Sequence, residues 1–200
     1  MSTMTIAKSE LILGGQKSGK SRRAELLARQ WLDQSSAHRA VLIATAQPWD
    51  EEMRQRIARH QADRALRVPG MTTVEVPLAL AEAIRQHSHP DTLVVVDCLT
   101  LWLTNLLMPV ESVETPSFES KQPGVQVEHA RIAPLLIAIE NATGPVVFVG
   151  NEIGLGVIPM GREVRAFVDA LGRLNQDVAA ACQRVTLMAA GLPLTLKDSQ

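Results

Sequence analysis

The eight residues Gly14-Gly15-Gln16-Lys17-Ser18-Gly19-Lys20-Ser21 complete the pattern GxxxxGK[ST], between the apolar run Leu11-Ile12-Leu13 and a segment with helical periodicity. That placement leaves few folds open. A strand must end in a glycine turn whose backbone N–H groups can close around phosphates, and a helix must begin there with its positive end toward the anion. Ala24, Leu27, Ala28, Trp31 and Leu32 fall at i, i+3, i+4, i+7 and i+8, which is one apolar helix face. The loop therefore reads as a nucleoside triphosphate site. Gly14, Gly15, Gln16, Lys17, Ser18 and Gly19 supply backbone donors, Lys20 a point charge for the β/γ oxygens, and Ser21 a hydroxyl for Mg²⁺.

Beyond the loop, β-like runs alternate with helical ones, the mark of an α/β fold with a mainly parallel sheet. Strands are predicted at Leu11–Leu13, Val41–Thr45, Thr73–Val76, Leu93–Asp97, Val146–Val149, Val185–Ala189 and Leu192–Leu196, the last two forming an antiparallel hairpin through Gly191. Helices are predicted at Ser21–Gln34, Asp50–Arg64, Leu78–His87, Leu99–Leu107, Val127–Ala142 and Arg162–Cys182. Several strands are apolar on both faces, as expected where helices cover the sheet twice. Pro109 to Val125, with three prolines and few apolar residues, reads as a mobile surface excursion within one domain spanning the 200 residues.

The balance of charges narrows the function. A net charge of −1 gives no electrostatic footprint for nucleic acid, and three Phe, three Trp and no Tyr leave little for stacking bases. Neither the N-terminal segment nor the apolar stretch Leu99 to Val110 suits a signal peptide or a transmembrane span, so a cytoplasmic protein is expected. Cys98 and Cys182 lie far apart in apolar segments and read as core thiols.

Two further positions draw attention. Asp97 ends the apolar run Leu93-Val94-Val95-Val96, where a P-loop protein places the acid that helps hold Mg²⁺, although an Asp there can equally cap the next helix. In the segment Asp50 to Arg64, Asp50 is an N-cap candidate followed by Glu51 and Glu52, and Met53, Ile57 and His60 share a stripe expected to face inward. The residues alone leave His60 open between a buried structural histidine and a catalytic one. The histidines at 38, 87, 89 and 129 indicate no metal cluster.

The blocks Gly14 to Ser21, Ile43-Ala44-Thr45-Ala46, Asp50-Glu51-Glu52-Met53, Arg56-Ile57 with His60, Val96 to Asn105, Asn151-Glu152-Ile153-Gly154-Leu155-Gly156-Val157-Ile158-Pro159, Gly172-Arg173-Leu174-Asn175-Gln176 and Gly191-Leu192-Pro193 occur in this order across residues 10 to 197. In them the chain resembles the bifunctional adenosylcobinamide kinase/adenosylcobinamide-phosphate guanylyltransferase family. The resemblance implies a RecA-like P-loop fold, a homotrimer, phosphorylation of adenosylcobinamide by ATP or GTP, and transfer of GMP from GTP to adenosylcobinamide phosphate. It also implies roles for individual residues. His60 matches the family's covalent histidine. Thr45, Ala46, Gln47, Gln61, Ala62, Asp63, Arg64, Glu75 and Asp97 match nucleotide contacts, and Asn151 and Glu152 sit where the corrinoid's hydroxyl arm would be held. The chain departs from the family's habit at Ala65, where Pro is common, at Met71, where Trp is common, and at Gly150, where Ser or Thr is frequent.

Overall fold

The computed structural model describes residues 5–48, 50–108, 125–157 and 159–199. The expected excursion at Pro109 to Val125 lies outside these residues except for Val125, which opens a helix. In chain order the elements are β1 (Ser9–Gly14), α1 (Lys20–Gln34), β2 (Arg39–Ala44), α2 (Glu51–Arg67), β3 (Met71–Glu75), α3 (Leu80–His87), β4 (Thr92–Asp97), α4 (Leu99–Leu107), α5 (Val125–Glu140), β5 (Val146–Val149), α6 (Arg162–Ala181), β6 (Arg184–Ala189) and β7 (Leu192–Asp198). Each is an element that periodicity predicts, with differences only at the ends.

The strands form one sheet in the order β3-β2-β4-β5-β1-β6-β7. Every neighbouring pair is parallel apart from the β6–β7 hairpin. This is the predicted P-loop architecture, with β5 lying between the P-loop strand β1 and the strand β4 that ends in Asp97. The two-faced apolar strands explain the layering, because successive side chains point to opposite faces. Leu11, Leu13, Val94, Val96 and Phe148 pack into a cluster with α3, α4, α5 and α6, whereas Ile12, Leu42, Val95, Val147 and Val149 pack against Ala24, Leu27 and Ala28 of α1.

Helix α2 corrects one expectation. Its start is as predicted, since Asp50 caps it by accepting from the Met53 N–H at 2.7 Å. His60, however, is exposed rather than inward, and Met53 and Ile57 are only partly buried. The angular reading of the stripe is right, because its continuation, Arg64 and Val68, is buried. What fails is the assumption that something covers the whole stripe. Helix α1 engages α2 by ion pairs at Arg64 and Arg67 of the final turn, whereas none of the described side chains of the earlier turns is fully buried.

Candidate active site

Because the first five strands are parallel, their carboxyl ends share one edge of the sheet, where open α/β folds bind ligands. Register places Glu75, Ala44, Asp97 and Val149 in a row across β3, β2, β4 and β5. The P-loop follows β1 at the same edge.

The loop's backbone is tightly specified. Gly14, Gly19 and Lys17 all have positive φ, at 154°, 101° and 56°. A Cβ on Gly14 would lie 2.5 Å from the Met188 carbonyl oxygen and 2.6 Å from Ser18 Oγ, so glycine is required by space as well as by conformation. Two neighbouring loops brace the turn: Gly191 N–H donates to the Ser18 carbonyl at 3.0 Å and Glu152 N–H to the Gly14 carbonyl at 3.1 Å. Ser18 Oγ is buried without a hydrogen-bond partner. Lys20 is 8% exposed and its Nζ donates to the Gly15 carbonyl at 2.6 Å. Burial lowers the pKa of this amine, while the Cys98 thiol and the Asp97 carboxylate act to raise it. A buried cation bonded to a neutral loop carbonyl, with the Asp97 carboxylate acting on it without a hydrogen bond, is disposed to receive phosphate oxygens.

Asp97 does not cap α4. The N-cap is Cys98 and no side chain bonds there, so the carboxylate is left at the strand end, within electrostatic range of Lys20. Thr45 is fully buried and its hydroxyl is spent on Cys98, accepting from its N–H at 2.9 Å and donating to its carbonyl at 2.7 Å. Asn105 Nδ2 holds the Thr45 carbonyl at 2.8 Å. This ties the turn carrying Ala46 and Gln47 to the β4–α4 junction.

Asn151 is held from two sides. Its N–H donates to Thr100 Oγ1 at 2.9 Å, and its carbonyl accepts from Asn175 Nδ2 at 3.1 Å. Glu152 turns back to accept from Gly154 N–H at 2.9 Å. A cavity of about 380 Å³ opens here, lined by Gly15 to Ser18, Glu152, Leu155 and the chain from Leu187 to Ala190.

His60, Gln61, Arg64 and Glu75 belong to a second group at the β3 end. Gln61 Nε2 donates to Glu75 Oε1 at 3.4 Å and Arg64 to Thr73 Oγ1 at 3.4 Å, while Asp63 pairs with Arg67 at 3.3 Å. Ala62 is exposed. Four strand-to-strand steps separate β3 from β1, about 19 Å at the usual spacing. The structure thus brings the P-loop, Asp97 and Glu152 together, and places His60 outside the residues lining the cavity. Of the departures, Ala65 is exposed and Met71 half-buried. At Gly150 a Cβ would lie 3.1 Å from Leu13 Cδ2 and 3.3 Å from Asn175 Oδ1.

Sequence reasoning missed the supporting residues Thr100, Asn105 and Asn175, and the role of the predicted β6–β7 turn in bracing the P-loop. Asn175 had a signal: it stands beside Leu171, Leu174 and Val178 on the buried face of α6, where a lone amide must be hydrogen-bonded to something. The turn had none, because its contacts are made by backbone.

Residues 10–196 match the family described as cobinamide kinase / cobinamide phosphate guanyltransferase. The bifunctional adenosylcobalamin biosynthesis protein CobP of Pseudomonas aeruginosa is 44% identical over 94% of this chain and 96% of its own. The protein CobU of Escherichia coli, described in the same words, is 35% identical over 94% of this chain and 98% of its own. Among solved structures, a Pyrococcus horikoshii protein aligns with a TM-score of 0.52 at 10% identity, covering 98% of this chain and 89% of that one. The flagellar accessory protein FlaH of Methanocaldococcus jannaschii aligns with a TM-score of 0.50 at 11% identity, covering 97% and 80%. These two likenesses concern the fold alone. With sequence similarity along nearly its whole length and a P-loop built at the carboxyl edge of the expected sheet, the chain belongs to the cobinamide kinase/cobinamide phosphate guanyltransferase family of adenosylcobalamin biosynthesis.

Proposed function

We propose that this enzyme phosphorylates the hydroxyl arm of adenosylcobinamide with ATP or GTP at the P-loop, and then transfers GMP from GTP to the new phosphate through a guanylyl-His60 intermediate, giving adenosylcobinamide-GDP. The observation that carries the kinase half is the buried Lys20 ammonium beside the glycine turn, with Asp97 free of any capping duty. Phosphoryl transfer asks mainly for positioning and charge neutralisation. The backbone donors of residues 14–19 and Lys20 serve both needs, and Glu152, which lines the cavity, and the adjacent Asn151 serve as the corrinoid contacts. Ser21 and Asp97 offer the hard oxygen donors that Mg²⁺ takes alongside nucleotide phosphates. That ion would neutralise charge on the phosphates when bound.

The guanylyl half rests on His60 as an exposed imidazole on a helix beside Gln61, Arg64 and Glu75. A ring nitrogen of neutral His60 attacks the α-phosphorus of GTP; the N–P bond forms as the bond to the pyrophosphate oxygen breaks, and pyrophosphate leaves with the electron pair. A phosphate oxygen of adenosylcobinamide phosphate then displaces the histidine, which regains its free imidazole. Glu75 offers acceptors for the guanine edge, and Ala46, Gln47 and the stretch Gln61, Ala62, Asp63, Arg64 complete the nucleotide contacts. Thr45, fully buried with its hydroxyl spent on Cys98, supports Ala46 and Gln47 from beneath rather than touching the nucleotide.

The protein is further read as a cytoplasmic homotrimer. Support for association comes from the apolar residues left on the hairpin edge, Leu192, Leu194 and Leu196, all more than half exposed. Among the described residues no helix is long and apolar enough to cross a membrane. Incubation with α-labelled GTP tests the central claim: the protein should become labelled on His60, acid-labile and base-stable as a phosphoramidate is. A protein that phosphorylates adenosylcobinamide but never takes label is a kinase alone. Light scattering that shows a monomer at micromolar concentration removes the trimer.

A further inference from the structure

Glu25 lies one turn into α1, on the face occupied by Ala24, Leu27 and Ala28, and is 6% exposed. A carboxylate so placed needs cationic partners, and both of its partners are on α2. Oε2 accepts from Arg67 at 3.0 Å, and Oε1 stands 4.0 Å from Arg64 Nε. Arg64 is itself buried, its Nε has no hydrogen-bond partner, and its one hydrogen bond to Thr73 is long at 3.4 Å. Among the described residues Glu25 is the carboxylate that pairs with that guanidinium.

The geometry ties this pair to His60. Arg64 follows His60 by four residues, one helical turn, so the two side chains share a face of α2. Arg59, His60, Gln61 and Ala62 are exposed, whereas Arg64 and, just past the helix end, Val68 are buried. The helix is thus fastened chiefly through its last turn, with one long hydrogen bond from Gln61 to Glu75 beside the exposed imidazole. A shift at the Arg64 fastening is passed directly to His60, one turn away on the same face.

We propose that Glu25 is a positioning residue for guanylyl transfer: from the helix that begins at the P-loop, it holds Arg64 and Arg67 and so sets how α2 presents His60 to the nucleotide. The inference rests on reading His60 as the nucleophile. It predicts a split between the two half-reactions. The packing of α1 on the sheet through Ala24, Leu27 and Ala28 does not depend on the carboxylate, so the P-loop keeps its form without it. The approach of His60 does depend on it, and misplacement of a nucleophile by an ångström is enough to cost about tenfold or more in rate.

The test is single-turnover labelling with α-labelled GTP, alongside steady-state kinase assays, on the full chain and on Glu25→Gln, Arg67→Gln and the double variant. Glu25→Gln should slow formation of the His60 adduct about tenfold while leaving kinase kcat and KM for the phosphoryl donor within about twofold. Arg67→Gln, a change at a half-exposed residue that should not endanger folding, should slow adduct formation by a smaller factor. The double variant should be no slower than Glu25→Gln, because both changes break one link. A wild-type labelling rate in either folded single variant overturns the proposal. So does a parallel loss of kinase and labelling, which would make Glu25 a general structural residue. If Glu25→Gln does not fold, Arg67→Gln decides alone. Absence of label on His60 in the wild type would instead defeat the reading of function, and this proposal with it.

Discussion

The P-loop end of the sheet and the His60 helix are built on opposite principles. Around the P-loop, nearly every group is fixed: three positive-φ residues, a glycine with no room for a Cβ, backbone braces from two other loops, and a buried lysine. Helix α2 has a proper cap and complementary charges at both ends, yet before its last turn no described side chain is fully buried, and His60 faces solvent. Phosphoryl transfer gains most from a rigid, preorganised electrostatic site. A nucleophile that must meet the α-phosphorus, release pyrophosphate and then yield GMP to a second substrate has to be reached from different directions in turn. An exposed imidazole on a lightly fastened helix fits that requirement. The difference teaches that the two activities need not share a single rigid pocket even if they share a nucleotide.

The sharpest way to break the contrast is His60→Ala. It should abolish the covalent GMP adduct and guanylyl transfer altogether while leaving measurable phosphorylation of adenosylcobinamide, and the fold should be untouched because the side chain is exposed. An adduct that persists, or that mass spectrometry places on a lysine such as Lys17, names a different nucleophile. Next in size is Lys20→Ala. Removing the charge that the loop presents to the β/γ oxygens should lower kinase turnover by about 10²–10³-fold, with circular dichroism unchanged, since the variant also removes a buried cation. Near wild-type phosphorylation would show that the cavity at the P-loop is not the kinase site.

A pair of glycines then sharpens the claim that the loop is sterically over-determined. Gly14→Ala forces a Cβ against the Met188 carbonyl and Ser18 at φ +154° and should destabilise by roughly 1–3 kcal/mol, visible as a Tm loss of about 2–4 °C per kcal/mol with a matching fall in kinase activity. At Gly15 an added Cβ meets nothing within 4 Å, so Gly15→Ala should keep the Tm. Equal effects from the two variants would mean that the loop yields, and that its rigidity is not what distinguishes it from α2.

How much of this was legible in the chain follows the same divide. The P-loop announces itself because its chemistry is local: the glycines, Lys20 and Ser21 are consecutive, and the strand and helix around them carry their own periodicities. The strand and helix pattern was readable for a related reason, since the apolar runs of β1, β4 and β5 are buried on both faces by helices the sequence also shows. His60 was placed on the correct stripe but assigned the wrong exposure, because periodicity gives the angle of a side chain and says nothing of whether a neighbour covers it. Thr100, Asn175 and the Met188–Gly191 turn reach the site only through tertiary contact, across as many as 174 positions, from Met188 to Gly14, in sequence. Glu25 looked like one more charged residue on a helix, and only the fold reveals that it is buried and which arginines it meets.

The smallest perturbation measures the two regions directly. Cys98 follows Asp97 at the floor of the P-loop site, is 8% exposed, and has its thiol pushed up to about 12, first by burial and then by the Asp97 carboxylate. Cys182 is 1% exposed with a thiol likewise raised to about 12 by burial. At pH 8 a thiol of that kind is roughly 10⁻⁴ thiolate, and the thiolate is the reactive form, so iodoacetamide should leave both native cysteines unmodified for as long as the protein stays folded. Ala58 is exposed on α2, and Ala58→Cys should react at the rate of a free thiol without disturbing either activity, since the side chain is small and points to solvent. Adding GTP then separates the regions: if α2 closes on the nucleotide to deliver His60, labelling at position 58 should slow several-fold, while Cys98 stays silent with or without ligand. Rapid alkylation of Cys98 in the folded, nucleotide-free protein would show instead that the floor of the P-loop site opens as readily as the helix, and the contrast between a fixed kinase centre and a movable guanylyl donor would have to be given up.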